Sequence, residues 1–397
     1  MSGTALLIIV TASLVLLGAF ELWSHKKKLK QIRIRVHVNG TRGKSSVTRL
    51  IASALREAGL VTCAKTTGTL ARFILPDGRE LPIFRPAGAN VIEQKRIVAA
   101  AAAHGAEALV VECMALAPEL IALCELKLVR ATHGVITNAR PDHLDVMGPG
   151  DIDVAKALCG MVPVGGKLFT AEEKHLAVMQ AAATDRKTQL IAVDRDAITS
   201  VTKDELKNFA YTEHPDNVAL ALSVCEDIGI ERDIALRGMY KTSPDPGALT
   251  SFELAFFGRR IVFVNGFAAN DPVSTEQLWN LALAGNPDVK TKIAVFNCRA
   301  DRPDRSLQLG AEIANWQPAD KFVLMGTGTY LFARAAIRAG VDSGSFVFAE
   351  DVDVEELFEQ IVALVDGSAL VMGMGNIGGD GLPLTRYFRN RSIPVAS

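Results

Sequence analysis

Between Val38 and Ser46 the chain reads V-N-G-T-R-G-K-S-S. Gly40 and Gly43 let the backbone curl, so that the successive amides of Thr41, Arg42 and Gly43 and the start of a following helix face a phosphate. Lys44 can reach the terminal phosphates of a nucleotide, the Ser45 hydroxyl can ligate Mg²⁺, and Ser46 completes the turn. The strict G-x-x-x-x-G-K-[ST] spacing would need a glycine at Val38. What remains is a shorter G-T-x-G-K-S form, which reads as an ATP phosphate-binding loop if a strand precedes it and a helix follows.

Two further segments carry chemistry. Ala108 to Met114, A-L-V-V-E-C-M, ends an apolar strand on Glu112, where the sites of open α/β sheets gather and where a carboxylate can hold Mg²⁺ directly or through water. Thr137 to Gly148, T-N-A-R-P-D-H-L-D-V-M-G, also follows a strand and brings Asp142, His143 and Asp145 together beside Asn138. An imidazole there can bind a metal or carry a proton, with a neighbouring carboxylate setting its tautomer.

The elements that must hold these groups are legible from periodicity. Ile32 to Val38 alternates with period two and is a strand; from Lys44 to Ala58 the apolar residues recur at helical spacing and Gly59 stops the helix. Further strands are expected at 108–111, 134–137, 189–193, 261–264, 292–296, 321–325 and 369–372, with helical patterns between most of them, as at 275–284 and 354–365. This alternation predicts an α/β fold built on mainly parallel sheets covered on both faces. Thr242 to Gly247, T-S-P-D-P-G, suits a hinge, dividing a P-loop ATP-binding domain over 32–241 from a smaller Rossmann-like α/β domain over 242–397.

Composition bounds the rest. With 43 Lys and Arg against 44 Asp and Glu, the chain has no positive field with which to hold a nucleic acid. The six cysteines are scattered without a C-x-x-C pair, as expected of reduced, buried thiols. Ala5 to Phe20 is almost continuously aliphatic, and Lys26, Lys27, Lys28, Lys30, Arg33 and Arg35 follow it. Residues 1–25 therefore read as an uncleaved inner-membrane anchor with a single span, and the positive-inside rule puts the catalytic body in the cytoplasm.

Taken in order, G-T-R-G-K-S, V-E-C, T-N-x-x-x-D-H-L-D and then H-P-D-N-V-A-L-A at His214 to Ala221 resemble the Mur ligase family, whose members join a carboxylate to an amine with ATP. N-C-R-A-D-R-P-D-R (Asn297 to Arg305) and V-N-G-F-A-A-N-D-P (Val264 to Pro272) resemble that family's second-domain motifs. The resemblance implies ATP and Mg²⁺, with Lys44 and Ser45 at the γ-phosphate and first metal, Glu112 at that same metal, His143 at a second metal and Asn217 at the adenine. The family's usual arginine step is replaced here by P-D-P-G, which leaves Arg302 as the candidate for a phosphate contact. Lys156 lies near the position of a carbamylated lysine found in many members, although a helix-surface lysine fits it equally.

Within the family, K-T-T-G-T (Lys65 to Thr69), D-H-L-D-V-M-G-P and G-N-I-G-G (Gly375 to Gly379) resemble the branch that builds poly-γ-glutamate, which also begins with a membrane anchor and lacks a UDP-sugar domain. Thr66 to Thr69 would then form a loop near the acceptor carboxylate, with Thr67 and Thr69 as substrate contacts beside Asn138. The expected substrates are glutamate or poly-γ-glutamate, and the expected partners are membrane subunits of a polymer synthase and export complex; self-association stays open. Closure of the second domain is expected to keep water from the activated intermediate. Two rival readings compete: a membrane-anchored P-loop ATPase or kinase driving a partner complex, and a dinucleotide oxidoreductase prompted by Gly373, Gly375 and Gly378. The latter has only 19 residues after Gly378 in which to fit the rest of its binding unit.

Overall fold

The computed structural model describes residues 3–68, 70–85, 88–243, 249–267, 269 and 271–393. The chain forms two compact units, Met1–Ser243 and Pro244–Ser397. Pro244 to Gly247 of the expected hinge, and Thr69, lie outside the described residues.

The first unit is built on strands β1 (Ile34–Asn39), β2 (Thr62–Thr66), β3 (Arg72–Ile74), β4 (Glu80–Pro82), β5 (Ala108–Glu112), β6 (His133–Ile136), β7 (Lys167–Thr170) and β8 (Gln189–Ala192). They form one sheet in the order β4-β3-β2-β5-β1-β6-β7-β8. The six strands from β2 to β8 in that row are parallel, and the β2-β3-β4 edge is antiparallel. Strands buried on both faces need apolar residues at every position, which is why A-L-V-V in β5 is a run rather than an alternation.

β1 sits at the centre, between β5 and β6. Its register places Val38 beside Glu112 and Asn39 beside Ile136, so the chain leaves β1 in the crevice where the strand order reverses. Helix α2 (Lys44–Glu57) follows at once; Ala58 caps it and Gly59, at φ 87°, ends it. One expectation needs correction here: Thr66 belongs to β2, with Thr62 to Lys65, and is not part of a loop. Its pairing with Arg72 of β3, on a strand whose preceding residues pair with β5, outweighs the turn-like composition of T-T-G-T.

The second unit carries β9 (Thr250–Phe256), β10 (Arg259–Asn265), β11 (Thr291–Cys298), β12 (Lys321–Gly326), β13 (Phe346–Glu350) and β14 (Ser368–Gly375), in the order β13-β12-β11-β14-β10-β9. Only β9 runs antiparallel to its neighbour. Ile261 and Phe263 enter one apolar core while Val262 and Val264 enter the other, so both faces of this sheet are covered.

The first unit begins with helix α1 (Gly3–Gln31), long and apolar enough to cross a membrane, with none of its apolar stretch buried in the protein. Its last turns are different. His25 and Leu29 are buried, and His25 Nε2 lies 3.0 Å from the carbonyl oxygen of Leu128, which docks this end of α1 on the first unit.

Candidate active site

The loop between β1 and α2 is held from below and from the side. Gly40 has φ 131° and a Cβ there would lie 2.0 Å from Thr137 Oγ1; Gly43 has φ 78° and a Cβ there would lie 2.5 Å from Asn217 Oδ1. No residue with a side chain fits either position without displacing the wall. The segment after β6 forms that wall. Thr41 N donates to Asn138 O (3.1 Å), Arg42 N to Asn138 Oδ1 (3.1 Å), Thr41 Oγ1 to the same oxygen (2.6 Å), and Arg140 N to Thr41 Oγ1 (3.0 Å). Thr137 Oγ1 and Asn138 Nδ2 both donate to the Arg42 carbonyl, at 2.5 and 3.2 Å. Asn138, expected as a substrate contact, is therefore placed by the structure as a fastener of the loop, and Thr137 and Arg140, which the sequence reading left out, share that work.

At the first turn of α2 the Lys44 ammonium folds back over the loop, with Nζ 2.7 Å from Gly40 O and 3.3 Å from Thr41 O. Burial holds its pKa below the ordinary lysine value, while the negative charges of Glu112 and Asp142 pull the other way. The adjacent Ser45 Oγ donates to Glu112 Oε2 at 2.9 Å, and Thr67 N donates to the same oxygen at 2.7 Å. Glu112 is 2% exposed, so this carboxylate depends on those two donors and on the nearby ammonium to stay satisfied. A hydroxyl and a carboxylate side by side at the phosphate loop are hard oxygen donors, the set Mg²⁺ takes when the nucleotide phosphates and water fill its remaining positions. Among the described residues no group of three His, Cys, Asp or Glu forms a metal cage.

Behind Thr67 lies a network the sequence did not announce. Lys65 is completely buried, with Nζ 2.9 Å from Glu93 Oε1 and 3.3 Å from Gln94 Oε1, and Arg85 grips Glu93 with two hydrogen bonds of 2.6 and 2.8 Å. Gln94 Nε2 in turn donates to the Glu112 carbonyl (3.3 Å). The one available signal was a lysine inside a strand of otherwise unchargeable residues, C-A-K-T; its partners, 28 and 29 residues away, carried none.

Other expected residues are placed as follows. His143, in the left-handed region at φ 49°, precedes the short helix Leu144–Met147, and its Nε2 lies 3.9 Å from Asp142, which also pairs with Arg42 at 3.6 Å. Those contacts put the D-H-x-D segment against the loop. Asn217, in the helix Pro215–Asp227, packs on Gly43 and donates through Nδ2 to Glu213 Oε1 at 2.8 Å. Lys156 is 61% exposed on the helix Asp151–Leu158 and pairs with Asp153, 3.7 Å away. Arg302 belongs to the second unit, where it precedes the helix Pro303–Glu312.

The glycine-rich turn after β14 has another use. Asn297 Nδ2 donates to Asn376 O (2.5 Å) and Gly378 O (2.8 Å), and Asn376 Nδ2 returns a bond to Asn297 O (3.1 Å). A Cβ on Gly373 would stand 2.3 Å from the Phe267 ring. These glycines admit protein atoms, which removes the dinucleotide reading.

A short phosphate loop clamped by the segment after β6, with an acid at the end of β5, is the arrangement of an ATP-dependent amide ligase. The Mur ligase middle domain matches residues 38–243, and the "Poly-gamma-glutamate synthase CapB C-terminal domain" matches 251–391. The chain is 38% identical over 387 residues to "Capsule biosynthesis protein CapB" of Bacillus anthracis, covering 97% of this chain and 82% of that protein. It is 36% identical over 381 residues to "PGA synthase CapB" of Bacillus subtilis (strain 168), covering 96% of each. In fold it is similar to E. coli FolC in complex with DHPP and ADP, with a TM-score of 0.68, 17% identity, and coverage of 94% of this chain and 92% of that one. The chain belongs to the Mur ligase family, in its CapB group.

Proposed function

We propose that this protein lengthens poly-γ-glutamate by activating a γ-carboxylate with ATP and joining it to the amine of glutamate, releasing ADP and phosphate. The observation that carries the chemistry is the Lys44, Ser45 and Glu112 constellation at the mouth of a clamped phosphate loop; the polymer is taken from kinship with CapB. A free carboxylate resists attack by an amine, and transfer of the terminal phosphoryl group to it creates an acyl phosphate with a good leaving group. Lys44 and the N-terminus of α2 are aimed at the charge that builds on the transferring group. Lys44 leaves the Gly40 carbonyl to do so, an exchange of one oxygen for another.

Ser45 and Glu112 fit Mg²⁺, which would neutralise phosphate charge when bound. Thr67 N, through Glu112, fixes the end of β2 relative to the loop, which supports a place for Thr67 near the reacting carboxylate. We assign His143 to a second metal and Asn217 to the nucleotide base; proximity to the loop supports both. Helix α1 anchors the body to the cytoplasmic face of a membrane, where a synthase complex of membrane subunits would receive the product. Its length, apolar surface and trailing lysines support that reading.

The test uses full-length protein with ATP, Mg²⁺ and labelled glutamate. Glutamate-dependent ADP, a hydroxamate trapped by hydroxylamine and a lengthening amide polymer are expected. AMP with pyrophosphate, or phosphate release with no new amide, would overturn the reading. Resistance of the protein to a carbonate wash checks the anchor separately.

A further inference from the structure

At the opposite end of the first sheet from the phosphate loop, where the strands begin, lies a cavity of about 1000 Å³. Its walls come from the last turns of α1 (Lys26, Leu29, Lys30), from Glu125, Leu126 and the segment Arg130 to His133, and from the turn Val164 to Lys167. The acids in this wall are spoken for: Glu125 bonds His37 and the amide of Ala131, and Asp227 holds Lys167 and His133. Arg35 spends its donors on the carbonyls of Leu29, Ile32 and Arg130. Lys26, Lys30 and Arg130 remain, and none has an acidic partner among the described residues. Arg130 keeps a long side chain at φ 49°, in the left-handed region, where glycine would be cheaper.

We propose that this cavity binds the phosphate headgroup of an anionic phospholipid. The inference rests on α1 lying in a membrane. From Trp23, the last bulky residue of the apolar stretch, Lys26 and Lys30 lie about 5 and 10 Å further along a helix rising 1.5 Å per residue. A headgroup layer is roughly 5 to 8 Å thick on each side of the hydrocarbon core. The cavity therefore begins at headgroup depth, and the docking of His25 on Leu128 keeps its α1 wall in place. Its rim is apolar and exposed, with Val164 at 67% and Leu126 at 38%, which suits the junction between headgroup and acyl chain rather than a soluble ion. Basic pockets at the cytoplasmic ends of membrane helices take anionic headgroups by the same combination.

The experiment releases full-length protein from detergent micelles containing equal phosphatidylglycerol and phosphatidylcholine, and counts retained lipids by native mass spectrometry. Preferential retention of phosphatidylglycerol is expected, falling about tenfold or more in the triple variant K26Q/K30Q/R130Q. The variant K27Q/K28Q/K127Q loses the same charge outside the cavity and should retain the lipid as the unaltered protein does. Equal retention of both lipids, equal loss in both variants, or displacement by inorganic phosphate or soluble polyglutamate would overturn the proposal. Equal retention by a protein that withstands a carbonate wash overturns the site and leaves the anchor standing; release by carbonate overturns both. Ligase activity in detergent, unchanged in all three proteins, shows that they are folded.

Discussion

The two units carry sheets of the same kind, parallel at their centres and covered on both faces, and both have glycines where a central strand ends. In the first, Gly40 and Gly43 let the loop close against Thr137 and Asn217, Asn138 clamps it from the side, and the Lys44 ammonium folds over it at the start of α2. In the second, the Phe267 ring and the Asn297 to Asn376 pair fill the space beside the glycines at the end of β14. The end of a parallel strand thus yields a candidate ligand site or a packed end, according to whether a lysine and a helix start or a ring and an amide pair stand over its glycines. A glycine pattern is informative only with its neighbours.

The largest effect that would sharpen this contrast is at Lys44. Lys44→Ala should lower kcat about 10³-fold with little change in thermal stability, the scale of losing a principal charge-stabilising donor. If activity survives, the crevice of the first sheet is not where phosphoryl transfer occurs. Gly373→Ala should act in the reverse sense, destabilising the protein by about 3 kcal/mol through overpacking against Phe267. Calorimetry checks it, and a stable variant would mean the second crevice is not filled as described.

Asn138→Ala breaks the clamp while leaving the loop sequence intact, and should cost about 10²-fold in kcat/KM for ATP, a misplacement effect measured by steady-state kinetics. Beneath the loop, His37 is wholly buried and 2.9 Å from Glu125; burial alone would lower its pKa, but Cys113 and the Glu125 carboxylate raise it to about 9. The folded state therefore binds the proton more tightly than the unfolded one. The resulting stabilisation is complete below about pH 6.5 and is lost as pH rises through about 9, an effect on the order of 3 kcal/mol. Urea unfolding across that range should show the slope, and His37→Gln should flatten it. The smallest effect is expected at Lys156, where Lys156→Ala should leave activity within about twofold, because the side chain is exposed and paired only with Asp153. A large loss there would restore the carbamylated lysine.

Much of this was readable because it is local. The strand, loop and helix from Ile34 to Glu57, the acid closing β5 and the segment after β6 each announce themselves within a dozen residues. What escaped depends on partners far along the chain. β3 and β4 are three residues each and exist only by pairing, β3 with β2 and β4 with β3. The role of Asn138 as a fastener needs the register of β1 against β6, and the burial of Lys65 needs Glu93 and Arg85. In the second unit, β9 and β13 escape for the same reason, as edge strands in each of which only one residue is buried.

Only two residues separate the end of α1 at Gln31 from β1, and eight separate Gln31 from Gly40. A chain of that length reaches at most about 32 Å. With α1 in the bilayer, the bond-forming centre works on a tether too short to wander, so the growing polymer starts within a few nanometres of the lipid. At that range the local concentration of its reactive end near any membrane-embedded acceptor is set by geometry and is independent of how dilute the polymer is in the cell.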